Sequence, residues 1–176
     1  EGHWYASGAR VRVFLTARGV PVPASLDAIS TGAWQGRRFA MAMPLFGTSA
    51  THAAALTAAL GEAGAVSLYE RLAKRARVVD GNSVVRDLVV DGSAESGLTD
   101  SDDACGAIER GSNAAITTLS EPESLLIPGT VAMVRGAPHP TEAAILMDWL
   151  LKPETERRLV EAGAAQVLLH GGVQAG

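Results

Sequence analysis

The feature that most constrains this fold is a pattern that occurs three times: a strand-like apolar run, a turn of small polar residues, and a helix-like segment. The three turns lie at residues 47–51, 81–83 and 99–103. After each turn, apolar residues recur at spacings of three and four, which is typical of a helix that packs one face on a sheet. Strands that alternate with helices favour a largely parallel sheet with right-handed crossovers. The sequence therefore predicts an α/β fold, a mostly parallel sheet flanked by helices.

Further elements flank this repeated pattern. The strands of the pattern lie at residues 38–43, 77–79 and 96–98. The other predicted elements are strands at 10–16, 114–119 and 130–134, a helical turn at 25–29, and helices at 66–76, 141–151 and 153–163. Thr141 is predicted to cap the first of the two C-terminal helices, and Pro153 to occupy the first turn of the second. Trp149 lies at core spacing in the first of them, so we expect it to be a packing residue.

Composition limits the classes of protein to which the chain can belong. Its 176 residues, 47% of them hydrophobic, suffice for one domain core or for one lobe and part of another. The formal net charge of −4 argues against a nucleic-acid partner. Cys105 is the single cysteine, so an intrachain disulfide is excluded. No signal-peptide or membrane-spanning pattern is present, and the start at Glu1 suggests a mature or excised segment of a longer protein.

The three polar turns are the strongest candidates for a binding site. In an open parallel sheet such turns meet at the carboxyl edge of the strands, where ligands bind. The first two offer backbone N–H groups and hydroxyl or amide donors at helix N-termini, which suits phosphate, phosphonate, sulfate or carboxylate. The predicted ligand-binding residues are Gly47, Thr48, Ser49, Thr51, Asn82, Ser83, Thr99, Asp100 and Asp102.

The same residues have simpler interpretations. One hydroxyl or amide of each turn is expected to serve as an ordinary N-cap: Thr48 or Ser49, Asn82 or Ser83, and Thr99 or Ser101. The acidic residues of the third turn lack the spacing of a calcium loop, and the helix dipole already explains their position. The histidines, at positions 3, 52, 139 and 170, have no spacing that pairs them on one helix face. With no nucleophile elbow and no phosphate loop, the sequence predicts no metal site, no cofactor and no enzyme.

Short segments along nearly the whole chain form a recognisable ensemble. They are SGARVRV at 7–13, WQGR at 34–37, PLFGTS at 44–49, GNS at 81–83, GLTDSDDA at 97–104, PHP at 138–140, DWLL at 148–151 and EAGAAQ at 161–166. In order and approximate spacing they resemble the periplasmic solute-binding proteins of ferric-iron-type ABC importers and their phosphonate-binding relatives. The resemblance implies two α/β lobes, joined by crossover strands, that close on a solute and then dock on an ABC permease.

This resemblance implies a division of the chain and a location. Residues 1–16 would contain one crossover strand, residues 17–129 the ligand-binding lobe, and residues 130–176 the return crossover and C-terminal helices of the partner lobe. The opening portion of that other lobe would be absent. The surface around Ile145, Leu146, Trp149 and Leu150 would then be exposed and favour rearrangement or self-association. The parent protein would be periplasmic, or extracellular and lipid-anchored.

The sequence leaves two classes of solute to weigh, an anionic small molecule and ferric iron. Ferric-binding members of the family typically use adjacent tyrosines, whereas Tyr5 and Tyr69 are far apart here. An anionic small molecule is therefore the first choice, and ferric iron or an iron chelate the second. Two further alternatives are a hydrolase that uses Asp100, Asp102 or Asp103 with a metal, and a ligand-sensing regulatory domain.

Overall fold

The computed structural model describes residues 4–31, 34–163 and 167–169. The chain divides into two compact units: Val11–Leu125, and the described residues of Glu1–Arg10 and Leu126–Gly176. The lobe boundaries after residues 16 and 129 stay a prediction. In the part of the chain that is described, no helix has the length and apolar character needed to cross a bilayer.

Strands and helices alternate, and the predicted α/β class is confirmed. In chain order the elements are β1 (Tyr5–Ala17), a 3-10 turn (Asp27–Ser30), β2 (Phe39–Ala42), α1 (Gly47–Ala73), β3 (Ala76–Val79), α2 (Asn82–Val90), β4 (Ser96–Asp100), α3 (Ser101–Glu109), β5 (Ala114–Thr117), β6 (Leu126–Val131), α4 (Pro140–Leu150) and α5 (Pro153–Glu161).

One mixed sheet organises the Val11–Leu125 unit, with strand order β3-β2-β4-β1-β5. Strand β2 is parallel to both β3 and β4, whereas β1 is antiparallel to both β4 and β5. In the β1–β4 register Arg12 lies opposite Asp100, the last residue of β4. This register places Arg12 at the edge where the parallel strands end.

Each face of this sheet carries its own core, because successive strand residues point to opposite sides. On one face Leu15 and Ala40 pack with Val85 and Val89 of α2. On the other face Phe14 and Phe39 pack with residues of α1 and of the segment before β2. The sheet is thus buried on both sides, as is usual where crossover helices cover it.

Helix α1 is bent, with two helical segments that meet at Gly61. Gly61 has φ +73° and ψ 162°, a backbone conformation that L side chains rarely adopt. The sequence predicts a separate helix over residues 66–76. In the structure the second segment of α1 ends at Ala73, and β3 begins at Ala76.

The C-terminal elements differ from the predictions in detail. The strand predicted at 130–134 lies instead at Leu126–Val131 and pairs with β1. The two strands approach so closely that a Cβ added to Gly129 would lie 2.8 Å from the carbonyl oxygen of Ser7. The predicted cap at Thr141 is wrong, since α4 begins at Pro140, whose fixed φ suits a first helical turn.

Candidate functional site

Three helices begin at one edge of the sheet, as the sequence predicts. The parallel strands β2, β3 and β4 end at Ala42, Val79 and Asp100, and α1, α2 and α3 follow them. Parallel strands that share a direction bring their carboxyl ends, and the helix N-termini after them, to the same edge. This edge is the candidate site.

None of these three helices has a side-chain cap. The residues in the cap positions are Phe46, Gly81 and Asp100, and no side chain bonds to a first-turn N–H of α1, α2 or α3. The N-cap interpretation of the polar turns is therefore wrong. The helical hydrogen-bond ladder begins at Ala50 in α1 and at Val85 in α2, so the first-turn N–H groups lie ahead of it.

The side chain of Asn82 is the centre of a polar network that connects the turns. Its Oδ1 accepts hydrogen bonds from Arg12 Nη1 at 2.9 Å and from Ser49 Oγ at 3.4 Å. Its Nδ2 donates to Thr48 Oγ1 at 3.0 Å and to Asp100 Oδ2 at 2.9 Å. All four hydrogen-bonding positions of the amide are thus used within the protein. We call Arg12, Thr48, Ser49, Asn82 and Asp100 the polar network.

Arg12 completes this network, and the sequence prediction missed it. Its side chain is 1% exposed and its Nη1 lies 2.6 Å from Asp100 Oδ1, while Nη2 donates to the carbonyl of Leu98 at 3.5 Å. The alternation in β1 suggests that Arg12 points to a solvated face. A sheet covered on both faces offers no such face, so a charged residue in its central strands needs a partner. This need for a charged partner is the sequence signal that could have identified Arg12 as part of the site.

The predicted site residues divide into two groups. Thr48, Ser49, Asn82 and Asp100 come together, and Thr48 Oγ1 donates to Asp100 Oδ2 at 2.5 Å. The other predicted residues lie outside the polar network: Gly47, Thr51, Ser83, Thr99 and Asp102.

Those outside the network have identifiable surroundings. Thr99 is buried and donates to the backbone carbonyl of Asn82 at 3.0 Å, so it supports the start of α2. Thr51 donates to the carbonyl of Gly47 within its own helix. Gly47 and Ser83 are exposed, and Asp102 is half-buried. Thr51 is exposed as well, but its hydroxyl donates to Gly47, which leaves the exposed hydroxyl of Ser83 as the side-chain candidate for contact with an incoming molecule.

His52 lies in α1 next to the polar network and is neutral near pH 7. Its pKa is lowered to about 4, first by burial and then by the positive charge of Arg12, against smaller opposing effects from the backbone of Glu123 and Pro122 and from Asp100. Its Nε2 is buried and has no hydrogen-bond partner among the described residues. The imidazole therefore adds no charge to this edge of the sheet.

Two acidic residues at this edge, Asp100 and Asp103, are committed to protein partners. Asp100 receives hydrogen bonds on both oxygens, and Asp103 pairs with Arg86 at 2.9 Å. Over the described ranges, no group of three or more His, Cys, Asp or Glu residues is arranged to hold a metal ion. His3 and His170 lie outside these ranges. What the site offers a ligand is therefore hydrogen-bond donors at the helix N-termini, next to the balanced ion pair of Arg12 and Asp100.

Comparison with known sequences and structures shows which proteins this chain is similar to. A family model described as bacterial extracellular solute-binding protein matches residues 8–164. A search of curated proteins finds no match. Among solved structures, iron-bound HitA from Pseudomonas aeruginosa is 20% identical with a TM-score of 0.84, and 99% of this chain covers 58% of that one.

Two further structures extend the comparison. The periplasmic binding protein AfuA from Actinobacillus pleuropneumoniae, solved with fructose-6-phosphate, is 17% identical with a TM-score of 0.84, with 98% of this chain covering 57% of that one. The ferric binding protein from Campylobacter jejuni is 15% identical with a TM-score of 0.82, with 99% covering 60%. At these identities the likeness establishes the fold. The chain spans less than two thirds of the length of each of these structures.

Proposed function

Because this chain belongs to the family of bacterial extracellular solute-binding proteins, we propose that it is a solute-binding part of a protein that serves an ABC-type importer. The parent protein would act in the periplasm, or anchored at the outer face of the membrane. Its partners would be a small solute and an ABC permease. The family match over residues 8–164 and the similarity to the periplasmic binding protein AfuA support this proposal.

We further propose that the solute is an anionic small molecule, such as a phosphonate, a phosphate ester or an organic acid. The observation that carries this proposal is the pair of uncapped N-termini of α1 and α2, held side by side by the polar network. First-turn N–H groups and the helix dipole favour negative charge at such a position. A similar structure solved with a sugar phosphate supports the same class of ligand.

The third helix has a different role in this proposal. Its first turn carries Asp102 and Asp103, whose negative charge already complements the helix dipole and would repel an anion. Solute contacts therefore come from the first turns of α1 and α2, with the Ser83 hydroxyl as a side-chain donor. Asp100 and Thr99 hold the site together and do not contact the solute.

A ferric chelate is the second candidate. It is favoured by similar structures of iron-bound and ferric-binding proteins. In this chain the acidic side chains at the candidate site are already paired, so the anionic groups of the chelator would meet the helix N-termini. We propose binding without turnover in either case.

A thermal-shift and calorimetry screen tests the anion proposal. The probes are inorganic phosphate, methylphosphonate, fructose 6-phosphate, citrate and ferric citrate, with fructose as the uncharged control. A solute present at about 100 times its Kd stabilises the folded state by roughly 2.7 kcal/mol and raises Tm accordingly. If none of the anions raises Tm above the level seen with fructose, the proposal is wrong.

Ser83→Asp gives a sharper test, because its effects on stability and on binding have opposite signs. An aspartate in the first turn of α2 is expected to stabilise the unliganded protein by about 0.3–1 kcal/mol. The same charge weakens binding of phosphate and phosphonate. Ser83→Asn is the matched uncharged control and retains binding. A Ser83→Asp protein that binds anions as tightly as the wild type would place the solute elsewhere.

A further inference from the structure

The ion pair beneath the proposed site is almost completely buried. The side chains of Arg12 and Asp100 are 1% and 3% exposed, and their nearest charged atoms lie 2.6 Å apart. Taking both charges out of water is costly, and the cost is offset only where geometry and additional hydrogen bonds are good. Here the additional bonds converge on the amide of Asn82.

We infer that Arg12 is a positioning residue of the site and Asp100 its charge partner: together they fix the Asn82 amide and leave the polar network without net side-chain charge. This inference rests on the proposed function and concerns the same site. It assigns the recognition of the solute to fixed backbone N–H dipoles and leaves no unbalanced cation to attract it. The solute is then selected by the number and placement of its oxygen atoms.

The orientation of the amide follows from its two charged neighbours. Arg12 can only donate hydrogen bonds, and an ionised Asp100 can only accept them. With Oδ1 toward Arg12 and Nδ2 toward Asp100, both contacts of Asn82 are favourable. A flipped amide would place donor against donor and acceptor against acceptor. The ion pair therefore permits one orientation, and that orientation sets the hydroxyls of Thr48 and Ser49 at the start of α1.

The balance of charge is the second part of the argument. At 2.6 Å the positive charge of Arg12 is cancelled locally by Asp100, and the neighbouring His52 is neutral near pH 7. Removal of one partner leaves the other as a full charge at the floor of the site. Removal of Arg12 therefore makes the site repel anions, and removal of the Asp100 charge makes it attract them.

Calorimetry with inorganic phosphate tests the balance of charge. We expect Arg12→Gln to raise Kd about tenfold or more, because it leaves the Asp100 carboxylate as an unbalanced negative charge at the floor of the site. Asp100→Asn removes the negative charge and one acceptor of the network; because it leaves the charge of Arg12 unbalanced, we expect it to weaken phosphate binding much less than Arg12→Gln does. Arg71→Gln is the matched control, since it breaks an exposed arginine–aspartate pair with Asp27 and should leave Kd unchanged. Equal weakening by Arg12→Gln and Asp100→Asn would indicate a merely structural pair and overturn the inference.

A measurement without any solute tests the positioning role independently. In the wild type, the side-chain amide protons of Asn82 should give two separate NMR signals that exchange slowly with water, because both protons are hydrogen-bonded. Arg12→Lys keeps the charge and the fold but loses the planar fork of donors, so these signals should shift and exchange faster. Unchanged Asn82 signals in Arg12→Lys would overturn the inference. Absence of phosphate binding to the wild type would instead count against the proposed function, and the NMR result would still decide the role of Arg12.

Discussion

At the scale of single residues, the structure changes the role of the polar side chains that the sequence singles out. Thr48, Ser49 and Asn82 are predicted to hold a solute, but most of their hydrogen-bonding capacity is used in holding each other. A short polar turn can therefore contribute to a binding site through its backbone while its side chains fix the geometry.

His52 provides a prediction about pH at the same scale. Its pKa of about 4 in the folded protein lies below its ordinary value of 6.5, so between these pH values the unfolded chain binds a proton that the folded chain does not. The contribution of His52 to the free energy of unfolding is therefore constant above pH 6.5 and falls as pH decreases towards 4, by about 3 kcal/mol in total, since each pKa unit corresponds to about 1.36 kcal/mol.

Urea unfolding of the wild type and His52→Gln at several pH values between 7 and 4 checks this prediction. The variant lacks the titrating group, so its stability should fall less steeply with acid than that of the wild type. His139→Gln, at an exposed position, is the control and should follow the wild type. Parallel curves for wild type and His52→Gln would contradict the assignment.

At the scale of elements, the close packing of α2 on β4 depends on one glycine. A Cβ at Gly97 would lie 2.3 Å from Val85 Cγ1 and 3.2 Å from the carbonyl oxygen of Ala40. No side chain fits between the helix and the strand at this point. Because α2 starts at the candidate site with Asn82, this contact also determines where the polar network lies.

Gly97→Ala is therefore expected to destabilise the protein by about 1–3 kcal/mol through overpacking. A second substitution, Val85→Ala, removes the clashing methyl groups and should recover part of the loss in the double variant. Gly106→Ala is the control: a Cβ there meets only the movable guanidinium of Arg110, and alanine favours the helix. Chemical denaturation measures all four proteins, and a Gly97→Ala protein as stable as the wild type would refute the packing argument.

At the scale of the whole molecule, the apolar helix α4 has exposed apolar side chains, as the resemblance to the solute-binding proteins implies. It is rich in apolar residues, yet no residue of it is buried, and Trp149, predicted to be a packing residue, is 47% exposed. Ile145 and Leu146 are exposed as well. Adjacent exposed apolar side chains of this kind favour association with another apolar surface.

We propose that this face of α4 mediates self-association of the chain. Light scattering after size-exclusion chromatography should show a mass that increases with protein concentration, and the double substitution Ile145→Lys with Trp149→Lys should reduce it to that of the monomer. Val90→Lys, at an exposed valine of α2 in the other unit, is the control and should not change the mass. A wild type that is monomeric at every concentration would contradict the proposal.

The sequence by itself determines the order of strands and helices, because the periodicity of apolar residues and the positions of glycine and proline are local properties. It also locates the three turns at one sheet edge, since the carboxyl ends of parallel strands meet there. The ends of β6 and α4 are predicted less accurately. They depend on strand pairing with β1 and on the backbone geometry of Pro140.

Only the tertiary structure decides what the polar side chains do. The partners of Asn82 come from β1, α1 and β4, up to 70 residues away along the chain, and no local pattern encodes which of them meet. Burial on both faces of the sheet turns Arg12 from a solvated strand residue into the partner of Asp100. A hydrogen bond or an ion pair depends on atoms within about 3 Å, and that proximity is a property of the folded chain.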